Sequence, residues 1–282
     1  MRELKFTKMQ SLGNDFVMLD SVSEDIRITE DIARNIASRR FGIGCDQIIV
    51  AESGEVADMR MRIFNTDGSE VGQCGNGARC FAAFVHDRGL VGARVFDVET
   101  ITTRLRLEIG NDGYVAVGMG RPEFDPSRIP LGLAEEMLSY SLEFEGEDHS
   151  FTSMAIGNPH CTFIVADVDS APLETLGPAL QDHPLFPDRV NVGFAQLVSR
   201  NCIRLRVYER GVGETLGCGS GACAAAVSLM RLGKLENEVE VELPGGSITV
   251  SWPGGESEVM LRGPINYVFE GVMNVAPDGA VS

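Results

Sequence analysis

Two cysteines of this chain lie in the same short motif, Cys-Gly-x-Gly-Ala, at Cys74 and at Cys218. A stretch that favours a helix follows each motif, so each cysteine is expected directly before a helix N-terminus. The unpaired N–H groups of a helix N-terminus bind carboxylates and phosphates, and their partial positive charge lowers the pKa of a nearby thiol. Each turn therefore predicts an anion site beside an activated thiol.

Two such turns facing each other could bind one small carboxylate, with its α-carbon between the two sulfurs. One cysteine, as a thiolate, would remove the α-proton, and the other, as a thiol, would return a proton to the opposite face. The N–H groups would stabilise the negative charge that develops on the carboxylate. Because two thiolates in one site repel each other, one thiol and one thiolate is the expected state of the pair. This chemistry is that of a racemase or epimerase.

A cysteine is more often an apolar filler than a catalyst. We interpret five of the seven cysteines as fillers: Cys45, Cys80, Cys161, Cys202 and Cys223. Cys74 and Cys218 differ because their glycine turns are duplicated with them, although such turns could also serve only to pack a helix tightly on a strand. The cysteine and histidine spacing does not favour a metal site. The turns lack the lysine of a phosphate loop, and these segments hold no lysine for pyridoxal phosphate.

The sequence around the two motifs is also duplicated. Residues 59–78 align without a gap with residues 203–222, at an offset of 144 residues, and the same offset aligns Gly13-Asn14 with Gly157-Asn158. The identical pairs include Arg62 with Arg206, Glu70 with Glu214 and Cys74 with Cys218. A period of this length indicates two similar domains rather than an array of short repeats.

Hydrophobic periodicity predicts matching elements in the two halves from the first helix of each onward. The predicted strands are 4–9, 16–20, 59–64, 95–99, 105–109 and 114–117 in the first half, and 203–208, 239–243, 247–252 and 259–261 in the second. The predicted helices are 29–40, with Thr29 as N-cap and Gly42 as the stop, 78–88, 173–180 and 222–231. These elements predict an α+β fold of two similar, pseudo-two-fold-related domains, each a mostly antiparallel sheet wrapped around a central helix. The predicted domains are 1–120, completed by 264–282, and 121–263, with the proline-containing segment 121–130 as a linker.

Composition narrows the class of protein. The 282 residues carry 24 Lys and Arg against 41 Asp and Glu, a formal net charge of −17. Such a charge repels nucleic acid and anionic membranes, so neither is an expected partner. The first residues do not resemble a signal peptide, and the longest apolar stretch, 222–230, is too short to span a bilayer. An odd, scattered set of cysteines does not resemble a disulfide framework, and we predict a cytoplasmic location.

Five segments of the chain resemble the diaminopimelate epimerase family, in order and at family-like spacing. They are Gly13-Asn14-Asp15-Phe16, residues 74–80 (CGNGARC), Gly157-Asn158-Pro159-His160, residues 208–215 (YERGVGET) and residues 218–223 (CGSGAC). The resemblance implies an epimerase-like fold and an enzyme that interconverts LL- and meso-2,6-diaminopimelate in lysine and cell-wall precursor biosynthesis. It further implies that no cofactor is needed, and that the enzyme is a homodimer.

The resemblance also implies a role for each site residue. Cys74 and Cys218 would exchange the proton, and the N–H groups of Gly75, Asn76, Gly219 and Ser220 would hold the reacting carboxylate. The residues that would position the substrate are Asn14, Gln47, Asn65, Asn158, Asn191, Glu209 and Arg210. His160 and Glu209 would modulate the pKa values of the thiols.

The internal repeat is broken at two of these positions, since Asn65 and Thr66 correspond to Glu209 and Arg210. The reacting centre needs near mirror symmetry, whereas the distal end of diaminopimelate, an ammonium and a carboxylate, does not react. Glu209 and Arg210 supply one opposite charge for each distal group, and arginine binds carboxylates bidentately. The alternative is that the two side chains form only a surface ion pair.

Three other functions remain possible. A proline or hydroxyproline racemase resembles this fold and uses two cysteines, but its substrate has no distal charged end for Glu209 and Arg210. The phenazine-pathway isomerases resemble the fold without the cysteine pair. A thiol-based redox or binding protein would require Cys74 and Cys218 to cycle through a disulfide.

Overall fold

The computed structural model describes residues 2–24 and 26–275 and divides the chain into two compact units. Unit 1 comprises the described residues up to Val117 and from Gly263 onward, and unit 2 comprises Gly118–Arg262. We describe each unit by itself.

Unit 1 contains nine of the described strands and two helices. The strands are β1 (Arg2–Ser11), β2 (Asn14–Asp20), β3 (Gln47–Ser53), β4 (Met59–Asn65), β5 (Glu70–Val71), β6 (Val95–Glu99), β7 (Arg104–Ile109), β8 (Val115–Gly118) and β18 (Asn266–Val275). The helices are α1 (Glu30–Ala37) and α2 (Gly75–Asp87).

Unit 2 repeats this order of elements. The strands are β9 (Tyr140–Phe144), β10 (Glu147–Ala155), β11 (Pro159–Val165), β12 (Asn191–Ser199), β13 (Cys202–Glu209), β14 (Gly213–Glu214), β15 (Glu238–Leu243), β16 (Gly246–Ser251) and β17 (Met260–Gly263). The helices are α3 (Leu173–Gln181) and α4 (Gly219–Arg231). Helices α2 and α4 begin and end at the same offset of 144 residues that the sequence repeat has.

Most strand pairings within each unit are antiparallel, but two pairings in each unit are parallel. In unit 1 the parallel pairs are β2 with β3 and β4 with β6, and in unit 2 they are β11 with β12 and β13 with β15. Parallel neighbours need a long crossover connection, and a helix lies in each of these four connections: α1, α2, α3 and α4 in turn. The predicted mostly antiparallel sheet with a central helix is therefore confirmed, as a mixed sheet with two crossover helices in each unit.

Helices α2 and α4 are the central helices. Every residue of α2 from Asn76 to Val85 is buried, and α2 packs against β1, β2, β3 and β7. In α4 every residue from Gly221 to Met230 is buried. The many alanines of α4 fit this position because small side chains let several strands approach one helix closely.

Helices α1 and α3 cover a second core in each unit. Helix α1 packs on β3 and β4, and its Ala33 and Ile36 are fully buried in a cluster with Leu19 and Ile48. Helix α3 buries Leu176 and Leu180 in the corresponding cluster of unit 2. Each sheet is thus packed on both faces, which explains why β3 is a run of apolar residues rather than an alternating one.

Three predicted helix bounds need correction. The central helices begin at Gly75 and Gly219 rather than at residues 78 and 222, so the glycines of the motif form the first helical turn. Helix α1 begins after the predicted N-cap Thr29, whose side chain accepts the N–H of Ile32, but it ends at Ala37. Gly42 does not stop this helix. It allows the chain to fold back, because a Cβ at Gly42 would lie 2.0 Å from the Asn35 carbonyl oxygen.

The prediction of a linker at residues 121–130 is wrong. Glu123 forms a β-bridge with Ala155, the ring of Phe124 lies 6.1 Å from that of Trp252, and Ile129 is fully buried in the core of unit 2. The three prolines of this segment break helices and strands, but its apolar side chains still pack onto the unit.

A duplicated ion pair holds the hairpin that leads into each cysteine motif. Arg62 donates from Nε and Nη2 to the two carboxylate oxygens of Glu70, at 2.9 and 2.7 Å. Arg206 binds Glu214 in the same bidentate way, at 2.7 and 2.9 Å. Each pair joins the long strand, β4 or β13, to the short strand β5 or β14 directly before the motif. This contact explains why arginine and glutamate are identical in the two repeats.

We predict that Glu70→Gln and Glu214→Gln each lower the free energy of unfolding by about 1 kcal/mol, because an amide cannot accept both guanidinium hydrogen bonds. Chemical denaturation measures this loss. Glu256→Gln is the matched control, since the Arg121–Glu256 contact is 3.5 Å long and both side chains are mostly exposed. An equal loss in all three variants would contradict a specific role of the duplicated pair.

Candidate active site

In unit 1, Cys74 is the N-cap residue of α2. Its Sγ accepts the N–H of Gly77 at 3.3 Å and lies 3.8 Å from Asn14 Oδ1, an oxygen to which the thiol donates. The first N–H groups of a helix have no acceptor within the helix, and here they belong to Gly75 and Asn76. Cys74 thus lies beside a helix N-terminus, which is the local geometry that the predicted anion site requires.

The second glycine of each motif packs closely against the cysteine sulfur and a side chain of the neighbouring strand. A Cβ at Gly77 would lie 2.6 Å from Ile49 Cδ1 and 3.3 Å from Cys74 Sγ. A Cβ at Gly221 would lie 3.0 Å from Val207 Cγ2 and 3.2 Å from Cys218 Sγ. The alternative that these glycines serve helix packing is thus correct for Gly77 and Gly221, and the same packing presses each sulfur against the helix end.

The predicted amide residues of unit 1 lie at one edge of its sheet. Asn14 and Gln47 are the first residues of the parallel strands β2 and β3, and Asn65 is the last residue of the antiparallel strand β4, directly opposite Gln47. Gln47 Nε2 donates to Asn65 Oδ1 at 3.0 Å, and Asn65 Nδ2 donates to Ser69 Oγ at 3.2 Å. Gln47 Oε1 is buried and accepts no hydrogen bond from the described residues, which makes it an acceptor suited to a ligand N–H.

In unit 2, Cys218 is the N-cap residue of α4, and its side chain does not cap the helix in the way that Cys74 does. Its Sγ lies 3.7 Å from Ser220 Oγ, and only 4% of the residue is exposed. Gly219 and Ser220 occupy the first helical positions, as Gly75 and Asn76 do in unit 1.

The expectation of a lowered thiol pKa is wrong for Cys218. Burial raises the pKa of this thiol well above its ordinary value, and the negative charge of Glu209 and a hydrogen bond to its carboxylate raise it further. The N–H of Gly221 and the Ser220 hydroxyl act in the opposite direction but do not prevail. Cys218 is therefore a thiol at neutral pH, because desolvation outweighs the field of the helix end.

Glu209 and Arg210 do not form an ion pair with each other, so the alternative of a simple surface ion pair is wrong. Glu209, the last residue of β13, accepts a hydrogen bond from the Thr215 hydroxyl. The guanidinium of Arg210 donates to the carbonyl oxygen of Asp188 at 3.0 Å and is exposed. The carboxylate of Glu209 also lies within hydrogen-bonding reach of the Cys218 thiol, whereas the side chain of Arg210 is exposed.

Two of the predicted site residues of unit 2, Asn191 and His160, are buried, and Asn158 beside them is half-buried. Asn191, the first residue of β12, donates to the Pro159 carbonyl and accepts the N–H of Arg210, both at 2.9 Å, and so holds the end of β13. His160 Nε2 lies 2.9 Å from Asn158 Oδ1. Burial, reinforced by the charge of Arg210, lowers the pKa of His160 to about 3. His160 is therefore neutral at physiological pH and contributes no positive charge that could lower a thiol pKa.

Sequence reasoning missed three residues that hold predicted site residues. Asp46 accepts a hydrogen bond from Asn14, Ser69 accepts one from Asn65, and Thr215 donates to Glu209. Two of them could have been noticed from the sequence, because Asp46 directly precedes Gln47 and Thr215 lies in the segment that resembles the family. Nothing in the sequence alone marks Ser69.

Within residues 2–24 and 26–275 there is no group of three or more potential metal-ligating side chains. No helix in the same part of the chain is both long and apolar enough to cross a membrane.

Comparison with known proteins identifies the family. A family model described as diaminopimelate epimerase matches residues 6–124 and again residues 152–268. A curated diaminopimelate epimerase of Teredinibacter turnerae is 49% identical over 270 residues, which are 95% of this chain and 98% of the relative. The chain belongs to the diaminopimelate epimerase family. The predicted family and the predicted class of enzyme, an amino-acid epimerase, are thereby confirmed.

Solved structures show the same fold at much lower identity. A hydroxyproline epimerase from Agrobacterium vitis has a TM-score of 0.68 and 14% identity, and the match covers 99% of this chain and 94% of that one. A phenazine biosynthesis protein of Bacillus anthracis has a TM-score of 0.65 and 18% identity, over 98% of this chain and 100% of that one. These similarities confirm the epimerase-like fold but, at such low identity, carry no information about activity. The proline racemase and phenazine alternatives therefore share only their fold with this chain.

We predict that Glu209→Gln lowers the pKa of Cys218, because the neutral amide no longer repels the thiolate. The rate of Cys218 alkylation by iodoacetamide, followed by mass spectrometry from pH 7 to 10, should then rise at lower pH than in the parent protein. Glu256→Gln is the control, since it removes the charge of a mostly exposed carboxylate that pairs with Arg121 at 3.5 Å. Identical profiles for Glu209→Gln and the parent would refute the electrostatic role of Glu209.

Proposed function

We propose that this chain interconverts LL- and meso-2,6-diaminopimelate, without a cofactor, through Cys74 and Cys218. The observation that carries the proposal is the duplicated placement of a cysteine at the N-cap of a fully packed helix, followed in each unit by N–H groups at the helix end. A redox protein would not need this pairing of a thiol with an anion site, whereas proton transfer beside a carboxylate does.

The proposed reaction needs two proton transfers. A thiolate removes the α-proton, and the electron pair of the C–H bond moves into the carboxylate to form an enediolate-like anion. The other cysteine, as a thiol, gives its proton to the opposite face of the α-carbon, which inverts the centre. The enzyme is left with thiol and thiolate exchanged, and the reverse reaction uses the cysteines in the opposite roles.

The proposed carboxylate site consists of the N–H groups of Gly75, Asn76, Gly219 and Ser220. Helix N-termini stabilise negative charge as it develops, so these groups bind the enediolate-like anion more strongly than the substrate carboxylate. Asn76 is supported from behind, because its Oδ1 accepts a 2.6 Å hydrogen bond from the fully buried Arg79.

The remaining predicted residues are proposed to position the rest of the substrate. They are Asn14, Gln47, Asn65, Asn158, Asn191, Glu209 and Arg210. The unpartnered Gln47 oxygen supports this role most directly. The contact between Glu209 and Cys218 supports the predicted role of Glu209 in modulating a thiol, and the neutral His160 is proposed to act through its hydrogen bond with Asn158 rather than through charge.

Arg210 is proposed to bind the distal carboxylate. Its backbone is held by Asn191, while its guanidinium is exposed and makes one hydrogen bond to a carbonyl. This arrangement favours diaminopimelate over proline or hydroxyproline, because only diaminopimelate has a distal carboxylate.

We propose that the two units correspond to domains 1–120, completed by 264–282, and 121–263, of which residues 276–282 lie outside the described part of the chain. The predicted homodimer is supported by β18, which pairs with β1 and exposes Tyr267, Val268, Phe269 and Val272, since an apolar edge of this kind is typical of an interface. The cytoplasmic location is supported only by the composition.

The deciding experiment is proton exchange at the α-carbon of diaminopimelate in D₂O with no added cofactor. The parent protein should incorporate deuterium as it epimerises, and Cys74→Ala and Cys218→Ala should each lower epimerisation by a hundredfold or more, to about background. Cys202→Ala is the matched control, because Cys202 lies on β13 beside Glu242 and outside the site. Near-normal turnover of either site variant would exclude the two-cysteine mechanism.

We further predict that Arg210→Ala raises KM for diaminopimelate by about tenfold or more, because a charge-assisted hydrogen bond to the distal carboxylate is lost. Steady-state kinetics in both directions measure the change, and thermal unfolding should be nearly unaltered. Arg189→Ala, which removes a neighbouring exposed arginine with only a 3.9 Å contact to Asp182, is the control. An unchanged KM in Arg210→Ala would reject the distal role.

A further inference from the structure

The carboxylate of Asp46 is surrounded by hydrogen-bond donors. Arg39 Nη2 donates to Asp46 Oδ1 at 2.8 Å, and Asn14 Nδ2 and the N–H of Asp15 donate to Oδ2 at 2.9 and 3.1 Å. Both oxygens of Asp46 accept hydrogen bonds, so an asparagine at this position would place its NH₂ group against a donor in either of its two orientations. The site therefore requires the acceptor-only group of an aspartate.

This requirement decides the orientation of Asn14. Because the Asp46 carboxylate can only accept, the nitrogen of the Asn14 carboxamide must face it. The oxygen of Asn14 then lies on the other side, 3.8 Å from Cys74 Sγ. The sulfur also receives the N–H of Gly77 at 3.3 Å, so a protonated Cys74 satisfies both contacts, whereas a thiolate would face the oxygen lone pairs of Asn14.

The Asp46 carboxylate is itself firmly held. Asp46 N–H donates to Asp15 Oδ1 at 2.9 Å, and Arg39 donates to both Asp15 oxygens and to Asp46. Lys8, which is mostly buried, forms an ion pair with Asp15 at 2.6 Å. Burial alone would raise the pKa of Asp15, but the hydrogen bonds and charges of Arg39 and Lys8 hold it well below its ordinary value. The ion pairs among Lys8, Asp15, Arg39 and Asp46 therefore fix the carboxylate that binds Asn14.

The corresponding sheet edge of unit 2 has no aspartate at the position equivalent to Asp46. Val190 stands where the repeat has Asp46, and it is fully buried in the core of unit 2. The corresponding asparagine, Asn158, instead lies against His160. Because the fold of the edge does not need the aspartate, the carboxylate of Asp46 serves something specific to unit 1.

We propose that Asp46 is a positioning residue that fixes the Asn14 carboxamide with its oxygen toward Cys74, so that the proton of Cys74 has a defined acceptor in the reaction direction in which Cys74 is the thiol. The inference deepens the proposed function and rests on Cys74 as one of the two proton-transferring cysteines.

The test compares Asp46→Asn with the parent protein in two measurements. Because the amide at position 46 allows Asn14 to present its NH₂ group to the sulfur, iodoacetamide should label Cys74 severalfold faster in the free variant, while labelling of Cys218 in the same sample stays unchanged. Epimerisation kcat should fall by about tenfold, with a smaller change in KM, since the thiol has lost its fixed acceptor.

Two controls separate positioning from general loosening. Arg39→Gln weakens the same cluster but leaves a carboxylate facing Asn14, so Cys74 labelling should stay at the parent rate although stability falls. Asp20→Asn alters a carboxylate at the other end of β2, where it accepts the N–H groups of Val22 and Ser23, and should change neither measurement. Faster Cys74 labelling in Arg39→Gln, or unchanged labelling and kcat in Asp46→Asn, would overturn the proposal.

A measurement on the parent protein covers the case in which Asp46→Asn fails to fold. The side-chain N–H signals of Asn14, assigned by their loss in Asn14→Leu, should exchange slowly with solvent because one N–H is bound to Asp46. Fast exchange would overturn the proposal.

The proposed function is tested separately. If parent protein that is completely labelled at Cys74 keeps its activity, Cys74 is not a proton-transferring group, whatever the labelling rates show about Asn14.

Discussion

The site of each unit depends on the packing of one helix N-terminus against a sheet edge where three strand ends meet. A Cβ at Gly77 or Gly221 would press on the cysteine sulfur and on a strand side chain. These contacts leave each sulfur next to the first turn of a buried helix. The bidentate arginine–glutamate pair in the preceding hairpin keeps the motif in register with the long strand. The thiol therefore has little freedom to move away from the N–H groups.

The two copies of this arrangement differ in their electrostatics. Cys218 lies beside the carboxylate of Glu209 in a buried environment, and its thiol is held protonated. Cys74 caps its helix and faces an asparagine that a charged cluster supports from behind. The backbone was duplicated, but each unit acquired its own polar support.

Burial decided most of the points on which sequence reasoning failed. The field of a helix end is visible in the sequence as a Cys-Gly-x-Gly motif, but the desolvation that outweighs it at Cys218 arises from surrounding strands. Strands β3 and β12 were not predicted, because a strand covered on both faces lacks the alternation that marks a half-buried strand. The segment 121–130 has the prolines of a linker, yet Phe124 and Ile129 find partners in unit 2.

The sequence by itself determined the duplication, the central helices with their cysteine caps, and the family, because these depend on local patterns that recur at a constant offset. It also marked Asn65/Glu209 and Thr66/Arg210 as the places where the copies diverge. Only the tertiary structure decided that Glu209 contacts Cys218, that His160 is neutral, and that Asp46 orients Asn14. These properties depend on which groups from distant segments meet in a dry environment, and no pattern of neighbouring residues carries that information.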